Sequence, residues 1–305
     1  MAFKITILGS SGAVPAYGRM PSAQFVEVEN NYFLIDCAEG AQLQLMKYEL
    51  NMHRIDHIFI SHLHGDHYLG LMGLLFTLHL NKRKNDLHIY SHKGLDEIIT
   101  LQLKYSKSAL NYRIVFHLLT PGKQEIIFEN KFVTIETIPL LHKLDCSGFL
   151  IREKPKPRRI DKTLLPPGLS FLQLNRLKAG EDLVDDQGKV LYKNEDITLP
   201  PRNSRSYAYC SDTQYYEAIV DQVKAIDVLY HEATFMEEEM DKAAETMHST
   251  VKQAATIAVK ANPVRLIIGH FSARYKDLLP VIDEAKRVFP NTYLALEGET
   301  FTIEE

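Results

Sequence analysis

Short apolar runs rich in β-branched and aromatic residues punctuate the first third of the chain. Residues 3–8, 24–28, 32–36 and 57–60 each read as a strand by length and composition. Residues 41–50 and 68–80 instead space their apolar side chains three and four apart, which predicts helices that bury one face. Further strands are expected at 87–91, 114–118 and 132–137. The second half repeats the plan, with strands at 206–209, 228–230, 265–268 and 293–296 and helices near 215–223, 250–260 and 277–288. Strands interleaved with helices predict an α/β protein, a layered sandwich with helices packed outside sheets.

Between residues 150 and 205 that pattern stops. Prolines stand at 155, 157, 166, 167, 200 and 201, and glycines at 168, 180 and 188. Each proline holds itself and its predecessor in extended or turn geometry. Residues 151–205 are therefore expected to form an inserted, flexible arm on a single domain spanning 1–305. Within the arm, residues 184–192 predict a hairpin turning at Asp186, Gln187 and Gly188.

Composition adds less than pattern. The 305 residues are 45% hydrophobic and 24% charged, which suits a globular chain with a substantial core. The chain shows no basic-then-apolar leader and no apolar run long enough to span a bilayer, so a cytoplasmic protein with no membrane partner is expected. Cys37, Cys146 and Cys210 are odd in number and form no C-x-x-C pair; they read as small buried hydrophobes in a reducing compartment. The net charge of −4 offers no general attraction to nucleic acid, but its distribution is uneven. Residues 152–162 hold six basic and two acidic side chains, a local +4 that leaves −8 for the rest. A basic island on an acidic body predicts a directed contact with a polyanion.

The chemistry is concentrated in residues 58–67, an apolar strand ending in the cluster H-x-H-x-D-H. His62 and His64 lie two apart, so on an extended backbone they face the same side. Gly65 lets the chain turn before Asp66 and His67. Three imidazoles and a carboxylate within six residues suit zinc, with manganese, iron or cobalt as substitutes. One loop does not complete a two-metal site. His142, Asp212 and His270 each follow a predicted strand, and together they fit the order His, Asp, His that would finish it.

These residues resemble the metallo-β-lactamase superfamily, and most of the chain is similar to the short form of the ribonuclease Z family. The similarity rests on L-G-S-S-G-A-V-P at 8–15, Asp36 followed by Glu39 and Gly40, the cluster at 61–67, S-D-T at 211–213, H-E-A-T at 231–234, H-S-T at 248–250 and G-H-F-S at 269–272. The metal cluster alone points only to the superfamily; H-E-A-T followed by H-S-T narrows it. The resemblance implies an αββα sandwich with a protruding exosite arm and two zinc ions per subunit. His62, His64 and His142 would hold one metal, Asp66, His67 and His270 the other, and Asp212 would bridge them. It also implies an endoribonuclease that removes the 3′ trailer from precursor tRNA, leaving a 3′-hydroxyl on the tRNA and a 5′-phosphate on the trailer.

In that reading Asp66 also orients or deprotonates the attacking water. His248 stabilises the charged phosphate and helps protonate the leaving oxygen, and Glu232 fixes the tautomer of His248. Lys154, Lys156, Arg158 and Arg159 are the candidate phosphate contacts of the arm, and Arg274 a candidate for the scissile phosphate. A homodimer is implied, in which the arm of one subunit serves the site of the other. Two segments depart from the family: Leu165-Pro166-Pro167-Gly168-Leu169, where Gly-Pro commonly follows the prolines, and Ser91-His92-Lys93-Gly94, where a Gly-Pro-x-Gly turn is usual.

Two other readings compete. A different hydrolase on the same fold, such as a cyclic-nucleotide phosphodiesterase or lactonase, would keep the metals without needing the basic arm or the pairing of His248 with Glu232. A non-catalytic RNA-binding protein should have lost ligands, and all seven candidates are present.

Overall fold

Two seven-stranded sheets face each other in the computed structural model, which describes residues 2–185 and 187–304. The first holds β1 (Phe3–Gly9), β2 (Ala23–Val28), β3 (Asn31–Ile35), β4 (His57–Phe59), β5 (Leu87–Ser91) and β6 (Ile114–Leu118) in that spatial order. The second runs β7 (Ile126–Glu129), β8 (Val133–Pro139), β9 (Ser147–Glu153), β10 (Ser206–Cys210), β11 (Val228–Glu232), β12 (Arg265–Gly269) and β13 (Thr292–Leu294). The last strand, β14 (Thr300–Thr302), returns to pair antiparallel with β1. Strands β3 to β6 are parallel, as are β10 to β13.

The period-two pattern sorts side chains between layers. Phe59, Tyr207 and Tyr209 point into the core between the sheets, while Ile58, Ala208 and Cys210 point outward under helices. Helices α1 (Ala41–Lys47), α2 (Leu71–Leu80) and α3 (Leu95–Tyr105) cover the first sheet, and α4 (Val251–Ala261) and α5 (Leu279–Val288) the second. The result is the expected α/β architecture, an αββα sandwich. All three cysteines are buried, as their reading required. Among the described residues no helix is long and apolar enough to cross a membrane.

Some expectations need correction. Residues 215–223 do not form an α-helix; only a short 3-10 turn, Glu217–Ile219, appears there. Ile219, Val223 and Ile226 are instead buried beside β10 and β11 in an irregular loop, where β-branched side chains pack without helix geometry. Helix α3 and strands β7 and β9 were not anticipated.

The arm leaves the second sheet between β9 and β10, which are antiparallel neighbours with Arg152 opposite Ser206. It has its own small core of Leu177, Leu183 and Ile197. Its helix, Phe171–Ala179, begins at Ser170 with a reciprocal capping box to Gln173. The hairpin expected at 184–192 is found as Leu183–Val184 paired with Val190–Tyr192, although Asp186 of its turn lies outside the described residues. At the root, the buried Arg205 guanidinium bonds Glu153 at 2.5 Å and Glu29 at 3.2 Å. Removing one member of such a buried network costs about 3–5 kcal/mol.

Candidate metal centre

The candidate ligands sit where parallel strands end. The loop after β4 carries His62, His64, Asp66 and His67; Asp212 follows β10 and His270 follows β12. Side chains after the carboxyl ends of parallel strands converge on one crevice. His142, after β8, joins them from the antiparallel part of the second sheet. Two backbone conformations help to aim the loops: Asp36 at φ 54 and His270 at φ 60, both left-handed and each costing roughly 1–3 kcal/mol. Gly269 has no Cβ, and one built there would collide with the ring of Tyr230.

All seven predicted ligands come together. His62 Nε2 and His142 Nε2 lie 2.9 and 3.1 Å from His64 Nδ1, so three imidazole nitrogens meet at one point. Asp212 Oδ2 stands 3.5 Å from His62 Nε2 and 3.8 Å from His142 Nε2. Its other oxygen, Oδ1, is 3.2 Å from both His67 Nε2 and His270 Nε2. Asp66 Oδ2 completes this second group at 3.7 and 3.4 Å from the same two nitrogens.

This donor set fits two cations. His67 Nε2 and His270 Nε2 are buried and have no hydrogen-bond partner. Such orphaned atoms are rare and call for a ligand. Their other ring nitrogens are engaged, His67 Nδ1 donating to Asp36 at 2.7 Å and His270 Nδ1 contacting Thr234 Oγ1 at 2.9 Å. His142 Nδ1 likewise donates to the Met247 carbonyl at 2.9 Å. A tautomer fixed from behind presents a lone pair in front, the arrangement that metal-binding histidines use. Burial resists charge on Asp212, but His270, His67 and His62 outweigh it and hold the carboxyl well below its ordinary range.

Behind the ligands stands Asp36, which sequence reasoning used for resemblance but did not place in the site. It accepts from Ser61 N and Oγ, His67 Nδ1 and Tyr209 Oη, all within 3.0 Å. The signal available in the sequence was a lone carboxylate directly after an apolar strand. Asp66 is steadied from the front, accepting from Ala13 N at 2.7 Å.

Glu232 and His248 meet beside the metal ligands. His248 Nδ1 donates to Glu232 Oε1 at 2.8 Å, and its ring stacks 5.3 Å from that of His270. Glu232 is fully buried and also accepts from Thr213 N, Thr234 Oγ1 and Ser249 N. Burial works against a charged His248, but Glu232 prevails and raises its pKa to about 9. Thr250, not His248, caps helix α4.

An open cavity of about 570 Å³ exposes Asp66, His142, Asp212, His248 and His270. Lys143, which the sequence reading passed over, is the one Lys or Arg among the described residues lining it. Arg274 stands at the rim, paired with Glu239 at 2.5 Å and lying over Phe235. The arm candidates lie elsewhere. Lys154 pairs with Glu129 and Lys156 with Glu153, Arg159 donates to the Pro200 carbonyl, and Arg158 is used within the arm, donating to Thr198 Oγ1 at 2.7 Å.

Comparison with known proteins adds three kinds of finding. A family model described as Anti-Pycsar protein Apyc1 matches residues 3–156. The ribonuclease Z of Cytophaga hutchinsonii is 48% identical over 305 residues, covering 100% of this chain and 97% of that protein. The ribonuclease Z of Bacteroides fragilis is 45% identical over 297 residues, covering 97% of each. Among solved structures, human tRNase Z, short form, superposes with a TM-score of 0.73 at 27% identity, covering 99% of this chain and 100% of that one.

Proposed function

Since the chain belongs to the ribonuclease Z family over its whole length, and to the Apyc1 family over residues 3–156, we propose that it is a two-zinc endoribonuclease. It removes the 3′ trailer from precursor tRNA in the cytoplasm, leaving a 3′-hydroxyl on the tRNA and a 5′-phosphate on the trailer. It acts as a single domain, 1–305, with the insertion expected at 151–205, which leaves β9 only after Glu153, as the substrate-gripping arm. The observation that carries the reading is the Glu232–His248 pair, whose imidazole lines the metal cavity, since both residues lie beyond the segment 3–156 that the Apyc1 model matches.

His62, His64 and His142 would hold one ion, Asp66, His67 and His270 the other, with Asp212 between them. Zinc suits this set of imidazoles and carboxylates, and manganese, iron or cobalt can stand in. Bound there, two divalent cations supply Lewis acidity toward a phosphoryl oxygen and a nucleophile at neutral pH. Asp66, besides holding an ion, would orient that nucleophile or take its proton. His248, kept charged by Glu232, faces the phosphate and returns a proton to the leaving 3′ oxygen. Lys143 offers positive charge in the cavity lining, and Arg274 stands beside it over Phe235, which also lines the cavity.

Lys154, Lys156 and Arg159 grip the tRNA backbone, and Arg158 shapes the arm that presents them. The arm springs from the end of β9 opposite the metals: Ser147, at the near end, donates to the Ser61 carbonyl. Six residues of strand then carry the chain about 20 Å away before the arm begins. A root so placed supports a homodimer in which the arm reaches the partner's substrate. Leu43, Met46, Leu69 and Leu80 are exposed apolar side chains around α1 and α2 that a second copy would cover.

The test is incubation of a 3′-extended precursor tRNA with zinc or manganese, sequencing of both product ends, and a chromogenic phosphodiester in parallel. Cleavage beside the discriminator base, weakened when Lys154 is joined to Ser204 by a short turn in place of the arm, is the expected result. Hydrolysis of the small ester with no tRNA cleavage would leave the metal centre standing and overturn the substrate assignment.

A further inference from the structure

The turn before β8 and the two stems of the arm frame a cavity that the mechanism does not use. It measures about 370 Å³, within the range of small-ligand pockets, and lies at the arm root, at the pole of the sandwich opposite the metals. Its floor is Glu153 and Glu29, both buried and both paired with Arg205. Pro155 and Pro157 supply stiff apolar walls. Phe132, at the turn entering β8, exposes 37% of its surface, with Lys131 Nζ 4.6 Å from its ring centre.

Charge and shape favour one ligand chemistry. Five cationic side chains line the cavity against two carboxylates; Lys154 also pairs with Glu129, and Lys156 shares Glu153 with Arg205, so with these partners counted six positive charges still face three negative ones. Arg159 and Arg202 extend the positive surface into an adjoining cavity of about 460 Å³. An aromatic face beside prolines takes a planar ring, and every nucleobase offers one. A positive rim takes phosphate oxygens. An acidic peptide would satisfy the rim but leave the ring of Phe132 without a planar partner.

We propose that the arm-root cavity is a nucleotide-binding site, in which Phe132 stacks a base and the surrounding cations hold its phosphate. The nucleotide comes from a single-stranded segment of RNA or from free solution. Only the RNA source rests on the tRNA reading above.

Calorimetric titration of AMP into the zinc-loaded protein tests this, repeated on protein stripped of zinc by a chelator so that binding at the metals drops out. The variants are Phe132→Ala and Lys131→Glu, both at exposed positions, with chromogenic diester hydrolysis as the control for folding. Phe132→Ala should weaken AMP binding about 5-fold or more, the loss expected for one stacked base, with Lys131→Glu smaller and the control unchanged. A matching rise in KM for precursor tRNA would identify RNA as the source; an unchanged KM would identify free nucleotide. If wild-type protein cleaves no precursor tRNA, the AMP result stands independently. Absence of saturable AMP binding, equal binding by Phe132→Ala, or capture of a poly-glutamate peptide in preference to AMP would overturn the proposal.

Discussion

The molecule contains two clusters of histidines, and they behave differently. At the metal centre, rings from strand-end loops turn their nitrogens toward common points, and two carboxylates stand between them. On the first sheet, His57, His88 and His117 occupy neighbouring parallel strands β4, β5 and β6. There the rings of His57 and His88 stack 4.8 Å apart, and His88 Nδ1 lies 2.9 Å from His117 Nε2. None of these three makes an ion pair with a carboxylate among the described residues. His88 and His117 nitrogens approach as closely as those of His62 and His64, but only as a pair; among the described residues, groups of three or more ligand atoms gather only at the strand-end loops. Convergence of three donors beside negative charge, not the number of imidazoles, makes a metal site.

The sharpest way to break this contrast is to remove the bridging carboxylate. Asp212→Ala should lower kcat by at least about 10³-fold and halve the zinc bound per subunit by plasma emission analysis, since both ligand groups lose a partner. Next in size, His248→Ala should cost about 10²- to 10⁴-fold in kcat while zinc content stays the same, the signature of proton transfer rather than ligation. Loss of zinc in that variant would move His248 into the ligand set.

Smaller effects probe the support behind each cluster. Asp36→Asn removes the charge that fixes His67, and competition with a chelator should show zinc affinity falling about 10- to 100-fold. The sheet cluster should respond to acid. Burial, followed by His88, His117 and Arg83, lowers the pKa of His57 to about 4. The unfolded chain then binds a proton that the folded chain refuses as pH falls from about 6.5 to 4. Stability from this group is complete above that window and lost through it. His57→Gln should therefore lose less melting temperature between pH 6.5 and 4 than wild type, on the order of 3 °C. Identical slopes would show that His57 titrates normally.

Legibility in the sequence followed the same division. The seven candidate ligands could be picked out because their chemistry is rare and they cluster in the loops that follow apolar strands. The sandwich could be found because β-branched runs such as 265–268 alternate with helical spacing such as 250–260. Asp36 escaped as a site residue because its role lies in four hydrogen bonds to groups far along the chain, which no spacing encodes. Strand β9 escaped because Ser147, Gly148, Arg152 and Glu153 dilute its apolar signal, although partners on both sides bury it. The helix expected at 215–223 failed for the opposite reason: its apolar spacing serves burial, and the chain needs only one tight turn before Ala225 reverses it at φ 52.

The arm begins and ends on adjacent strands, so its two stems stand side by side in the middle of a sheet. An excursion that closes on itself in this way puts little load on the fold it leaves, and doubling its length adds only about 0.6 kcal/mol of closure entropy. Residues 154–204 can therefore lengthen, shorten or change without moving a ligand loop. On the proposed reading of the arm, choice of cargo and cleavage of the bond would then be separable parts of one chain.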